Sequence, residues 1–128
     1  MITISVCMIV KDEEMVLERA LKSVERIADE IIIVDTGSTD RTKKIALKYT
    51  DKVYDFVWCD DFAKARNYSF SKATMDYCMW LDADDIISDS DQEGLINLKK
   101  TLSKDTSVVM MKYNAEFDQN NKPTFTYY

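Results

Sequence analysis

A chain of 128 residues, 46% apolar and 31% charged, has the size of one domain with a single core and the make-up of an ordinary folded protein. Its formal charge of −6 excludes a broad basic face for nucleic acid, which needs clustered Lys and Arg, and makes a metal cation the natural complement. The absence of His excludes Ser-His-Asp and Cys-His catalysis and any His-ligated zinc.

Two Gly and one Pro argue against a turn-rich sandwich or barrel and for long regular elements. Cys7, Cys59 and Cys78 form no CxxC pair; Cys7 and Cys78 lie in apolar strand-like runs and are expected to be reduced core thiols. The first residues enter a strand directly, without a basic region or a long apolar segment. Neither a signal peptide nor a transmembrane segment is therefore expected, and the expected location is the cytoplasm, including the inner face of a membrane.

In chain order, residues 2–10 form an apolar, β-branched run that predicts a buried strand. Asp12 then offers a helix N-cap with Glu13 in the first turn, and Val16, Leu17, Ala20, Leu21, Val24 and Ile27 follow at helical spacing. Residues 30–35 contain Ile31-Ile32-Ile33-Val34, a second buried strand ending in Asp35. Gly37-Ser38-Thr39-Asp40 turns the chain into a helix with Ile45, Ala46 and Tyr49 on its inner face, and Asp40 suits that helix's dipole. A short third strand is expected over 52–58. Asp60 or Asp61 can cap a helix running to about residue 73, with Phe62, Ser69, Phe70 and Ala73 as its buried stripe. Residues 77–81 predict a fourth buried strand, broken by Asp82-Ala83-Asp84-Asp85. A helix over 91–102, a strand over 107–117, a hairpin loop over 118–122 and a last strand over 124–127 complete the pattern.

Strand–helix–strand repetition with continuous apolar strands predicts an α/β fold, a mainly parallel sheet flanked by helices on both faces, with a C-terminal strand hairpin. Ligands of such sheets bind beyond the carboxyl ends of the strands. The polar anomalies of this chain fall there: Lys11-Asp12-Glu13, Asp35, and Asp82 with Asp84.

Two carboxylates two residues apart at a strand end, Asp82 and Asp84, can share a divalent cation, or one can bind it while the other holds a sugar hydroxyl; all-oxygen ligands suit Mg²⁺ or Mn²⁺. A solvated acidic turn is the plainer explanation, but the buried strand directly before it favours function. Asp35 can accept from a nucleobase N–H, with Gly37 permitting close backbone approach, or it can cap the following turn. Arg66 lies on the inner stripe of its helix, where a guanidinium wants an anionic partner such as Asp35 or a phosphate, unless it runs along the helix edge to water. Lys11, Asp12 and Glu13 can line a nucleotide pocket, although capping accounts for Asp12 and Glu13 as well. Trp58 and Trp80 read as packing rather than as a sugar platform.

Taken together, Ser5-Val-Cys-Met-Ile-Val-Lys-Asp-Glu-Glu14, Ile33-Val-Asp-Thr-Gly-Ser-Thr-Asp40, Ala65-Arg-Asn67 and Trp80-Leu-Asp-Ala-Asp-Asp85 resemble, in order and spacing, the N-terminal region of family 2 glycosyltransferases of the GT-A (Rossmann-like) fold. The resemblance implies one GT-A-like domain over 1–128, truncated on its acceptor side. It implies a nucleotide-diphosphate sugar, UDP-linked, as donor partner and a saccharide, lipid or protein as acceptor. Val10, Lys11, Glu13, Asp35, Arg66, Asp82 and Ala83 would form the nucleotide-sugar site, with Asp35 on the uracil. Asp84 and Asp82 would hold Mn²⁺ or Mg²⁺ on the diphosphate, for inverting transfer to a hydroxyl. The family's general base lies well downstream; Glu116 and Asp118 are the only late acids here, and neither is assigned that part.

Three rivals fit less well. Asp35-Thr36-Gly37-Ser38 matches the aspartic-protease signature, which needs a Gly-rich all-β chain. A haloacid-dehalogenase phosphatase wants a second Asp where Gly37 stands, and a sugar nucleotidyltransferase wants a Gly-rich basic loop where Lys11-Asp12-Glu13-Glu14 stands. A donor-binding pseudo-enzyme differs from the leading reading only in turnover.

Overall fold

The computed structural model describes residues 1–111 in full and the backbone of 113–117 and 123–127. Strands β1 (Ile4–Val10), β2 (Glu30–Asp35), β3 (Val53–Asp55) and β4 (Tyr77–Trp80) form one all-parallel sheet in the order β3-β2-β1-β4. Helices α1 (Leu17–Val24), α2 (Thr42–Ala46), α3 (Phe62–Ser71) and α4 (Asp89–Thr101) alternate with them. Strands β5 (Tyr113–Phe117) and β6 (Pro123–Tyr127) pair antiparallel as the expected hairpin, whose loop lies outside the described residues.

Strand alternation divides the core between the two sheet faces. Ile4, Val6, Met8 and Val10 with Ile31 and Ile33 meet Leu17, Ala20, Leu21 and Val24 of α1, Ala46 of α2 and Leu95 of α4. The opposite face carries Cys7 and Ile32, and α3 lies over it, with the Cys7 thiol 3.9 Å from the Ser69 carbonyl. Burying these fully enclosed Val, Leu, Ile and Met side chains contributes on the order of 2 kcal/mol each, which holds the strand ends, and hence the loops after them, in register.

At the amino ends of the strands, the buried Glu30 carboxylate ties three segments together. It accepts from Ser5 Oγ at 2.7 Å, from Thr74 N at 2.8 Å and Thr74 Oγ1 at 2.7 Å, and from the Lys52 ammonium. Burial pushes its pKa up, but the bonds from Lys52, Ser5 and Thr74 outweigh that effect and bring it down to about 2.

Several expected boundaries move. Helix α1 starts at Leu17, with Val16 before it and no side-chain cap, so Asp12 is not its N-cap and Glu13 not its first-turn acid; Asp12 sits instead at φ 51° in the loop. Asp61, not Asp60, caps α3 by accepting from Lys64 N. Ala65 and Ser69 are its buried residues, whereas Phe62 is 60% exposed. Ser88 caps α4, β3 shrinks to three residues, and residues 107–111 form no strand. Strand β4 is an edge strand of the sheet, so Cys78 and Trp80 are exposed rather than buried; only Cys7 is a core thiol.

Candidate functional site

Strand β1 has β2 on one side and β4 on the other, so the order of the sheet reverses beside β1, and sheets of this kind take ligands beyond the carboxyl ends of the strands at that point. The loops after β1 and β2 are laced across this edge. Thr36 N donates to the Val10 carbonyl at 3.0 Å, Asp12 N to Ser38 Oγ at 2.9 Å, and Glu13 N to Thr42 Oγ1 at 2.7 Å. In return Asp12 Oδ1 accepts from Thr39 N at 2.7 Å. Asp40 Oδ1 accepts from Thr42 N at 2.9 Å, at the start of α2. Apart from this last, local bond, they span more than twenty residues of sequence and hold the two loops as one unit.

Asp35, the last residue of β2, is 3% exposed. Its Oδ1 accepts from Gly37 N and Ser38 N, both at 2.8 Å, which is the turn-capping role. Its Oδ2 is buried and has no hydrogen-bond partner among the described residues. Capping thus accounts for one oxygen and leaves the other as an acceptor in want of a donor, which is costly unless a ligand supplies one. Gly37 has φ +113°, a conformation that L side chains rarely adopt, while a Cβ there would meet nothing within 4 Å. Its need is conformational, not for space.

Beyond β4 the chain folds back, with Asp85 N donating to the Asp82 carbonyl at 3.0 Å. One carboxylate oxygen each from Asp82, Asp84 and Asp85 lies within 4.8 Å of the others. The Asp82 carboxyl is pushed above its ordinary range by burial and then by Asp85 and Asp84, with Arg66 opposing. Glu13 is also raised, by burial first and then by Asp84, Asp40, Asp12 and Asp82. Acids from three different loops therefore share one field. A hard divalent cation with oxygen ligands fits this donor set, since it would relieve the mutual repulsion and match the chemistry of carboxylates. From α1, the Arg19 Nη2 donates to the Asp84 carbonyl at 3.1 Å, and Ser23 Oγ accepts from Ile87 N at 3.1 Å, so α1 pins the acidic turn.

Arg66 projects from α3 to this edge. Its Nη2 lies 3.6 Å from Asp82 Oδ1, and its Cζ sits 5.1 Å from the centroid of the Trp80 ring. The anionic partner is thus Asp82, not Asp35.

The structure brings Glu13, Arg66, Asp82 and Asp84 together at the edge that Asp35 also ends on. Val10 and Ala83 turn their side chains into the core, so each can offer only backbone to a ligand, and Lys11 is exposed. Asp85 was not singled out as a ligand from sequence, although its place in Asp82-Ala83-Asp84-Asp85 was the available signal. Two open concavities lie at the other, amino-terminal end of the sheet, one lined by Glu25, Asp29, Glu30 and Lys52, the other by Asp76, Tyr77 and Thr106. In the first, Asp29 and Glu30 are already paired with Lys99 and Lys52, so shape there points away from the unpaired chemistry.

The glycosyl transferase family 2 model matches residues 5–127, and the chain belongs to that family. It is 47% identical over 85 residues to a TPR repeat-containing protein of Synechococcus elongatus, covering 66% of this chain and 21% of that protein. It is 36% identical over 92 residues to an uncharacterized glycosyltransferase of Rickettsia typhi, covering 72% of this chain and 31% of the relative. Among solved structures it resembles glucosyl-3-phosphoglycerate synthase of Mycobacterium tuberculosis in complex with Mn²⁺ and UDP-glucose. That match has a TM-score of 0.57 and 26% identity, over 66% of this chain and 34% of that one. The parallel sheet with flanking helices is thus the GT-A, Rossmann-like fold, and the chain spans about a fifth to a third of the length of these relatives. No helix among the described residues is long and apolar enough to cross a membrane.

Proposed function

We propose that this chain binds a nucleotide-diphosphate sugar, with uridine as its base, together with Mn²⁺ or Mg²⁺, as the donor half of an inverting glycosyltransferase. The observation that carries the reading is the buried, unpartnered Asp35 Oδ2 at the end of β2. Uracil presents a ring N–H that this oxygen can accept, and the backbone around Gly37 permits a flat base to lie close. Lys11 and Glu13, with the backbone at Val10, border the base and ribose. Arg66 adds a positive charge beside Asp82 for the diphosphate, and Ala83 offers backbone within the turn.

Asp84 and Asp82, joined by Asp85, would hold the metal, which supplies Lewis-acid stabilisation of the departing diphosphate. The chain's own residues orient the donor; Arg19 and Ser23 keep the acidic turn in place. The acceptor would be a saccharide, a lipid or a protein. Glu116 lies on β5 and Asp118 outside the described residues.

Calorimetric titration of UDP into the folded chain, with and without Mn²⁺, tests the reading. Heat that depends on Mn²⁺ is expected, and Asp84→Asn should weaken it by about tenfold or more. No heat at millimolar UDP in a folded sample overturns the proposal.

A further inference from the structure

Trp80 ends β4, immediately before the acidic turn. The apolar strand predicts packing for its indole, yet it is 60% exposed, an unusual state for so large an apolar side chain. Its position explains the exposure. Strand β4 is outermost in the sheet, and the register Cys7↔Trp80 puts the ring on the face covered by α3, beyond the edge of that helix. From α3, Arg66 crosses this face, with Cζ 5.1 Å from the Trp80 centroid and Nη2 3.6 Å from Asp82 Oδ1.

The Arg66 side chain is only 25% exposed, and its guanidinium meets both the Trp80 ring and the Asp82 carboxylate. At 3.6 Å and with Asp82 54% exposed, the ion pair alone is too loose to fix a long side chain against its rotamer entropy. A planar cation against an aromatic face gains both electrostatic attraction and dispersion, and Trp is the strongest such partner. Trp80 is the last residue of β4 and Asp82 follows it in the turn, and Arg66 meets both, the ring through its Cζ and the carboxylate through its Nη2.

We propose that Trp80 is a positioning residue. Its ring holds the Arg66 guanidinium beside Asp82, and through Arg66 it sets the affinity of the site for a nucleoside diphosphate. The second half rests on the donor-binding reading above; the first does not. Trp80 itself touches no ligand in this account.

The test combines a double-mutant cycle with a ligand-free readout. UDP is titrated at saturating Mn²⁺ into the wild type, Trp80→Leu, Trp80→Phe, Arg66→Met and the double variant Trp80→Leu/Arg66→Met. Trp80→Leu is expected to weaken UDP by about three- to tenfold, the range of a partly desolvated cation–π contact. Trp80→Phe should recover most of that loss, and Trp80→Leu should have no further effect once Arg66 is Met. An equal loss in both Arg66 backgrounds, or none in the wild type, overturns the proposal.

In the free protein, ¹⁵N relaxation of the Arg66 Nε–H should show lower order in Trp80→Leu and near-native order in Trp80→Phe. Unchanged order in Trp80→Leu overturns the positioning claim whether or not nucleotide binds. Lower order with no UDP binding by the wild type upholds the positioning and overturns the donor-binding reading instead. The exposure of Trp80 means that thermal unfolding should change little in either variant, which separates this role from a structural one.

Discussion

Replacing Asp35 by Asn removes one charge without changing shape, and the geometry dictates which way the amide must face. Oδ1 accepts from Gly37 N and Ser38 N at 2.8 Å each, so the carbonyl oxygen of the amide is held there. The NH₂ group then occupies the place of the unpartnered Oδ2, exchanging an acceptor for a donor. Uracil N3–H, which the carboxylate accepts, would meet a second donor, whereas cytosine N3 is an acceptor and would now be welcome. A hydrogen bond to a charged group contributes about 1.5–3 kcal/mol, so UDP affinity should fall by roughly 10- to 150-fold. CDP, repelled by the wild-type carboxylate, should bind the variant better than it binds the wild type. Both nucleotides carry the same diphosphate and recruit the same metal, so their ratio isolates the base contact. Calorimetry of each, at saturating Mn²⁺, reads that ratio. Unfolding without ligand should shift by no more than about 1 kcal/mol, because one unsatisfied buried polar atom replaces another. A UDP-to-CDP ratio near one in the wild type, or one unchanged in Asp35→Asn, would refute the reasoning.

Two further predictions test the framework that carries the site. The Glu30 pKa of about 2 lies below its ordinary 4.5, so its contribution is present above pH 4.5 and is lost as pH falls toward 2. Glu30→Gln should therefore be less stable at neutral pH by on the order of 3 kcal/mol, with the gap to wild type closing between those limits in urea denaturation; a gap constant with pH would contradict the latch. Burial, then the neighbouring Cys78 and Glu30, pushes the Cys7 thiol up to about 12, whereas Cys59 is exposed. Alkylation at mildly alkaline pH, followed by mass spectrometry, should label Cys59 and spare Cys7 until the chain unfolds; early labelling of Cys7 would show the core to be open.

What the sequence disclosed followed from local pattern. Apolar runs ending in Asp35 and Asp82 are readable because a strand's burial and its abrupt polar end are both encoded within a few residues. The alternation of strands and helices then implies a parallel sheet, and with it the edge at which those acids meet. Long-range information was not readable in the same way. Asp12 looks like an N-cap, but its carboxylate bonds to Thr39 and its backbone to Ser38, partners more than twenty residues away. That pairing frees it from α1 and delays the helix to Leu17. Trp80 and Cys78 read as buried because nothing local announces that β4 is outermost. The partner of Arg66 was expected to be Asp35 or a phosphate; strand order places Asp82 nearer. Asp85 escaped notice as a ligand because only the fold-back of the turn brings its carboxylate to the other two.

The central claim is that base, diphosphate and metal meet along one edge, from Asp35 to the turn of Asp82, Asp84 and Asp85. Mn²⁺ is paramagnetic, so ³¹P relaxation of UDP reports its distance from the phosphates directly. With UDP in excess and a trace of Mn²⁺, adding wild-type chain should enhance relaxation of both phosphorus nuclei beyond that of Mn²⁺ and UDP alone. Asp84→Asn should remove most of the enhancement, and Asp35→Asn should reduce it in proportion to the loss of nucleotide. UDP bound with unchanged affinity in the presence of a chelator, and with no enhancement from the wild-type chain, would contradict the account.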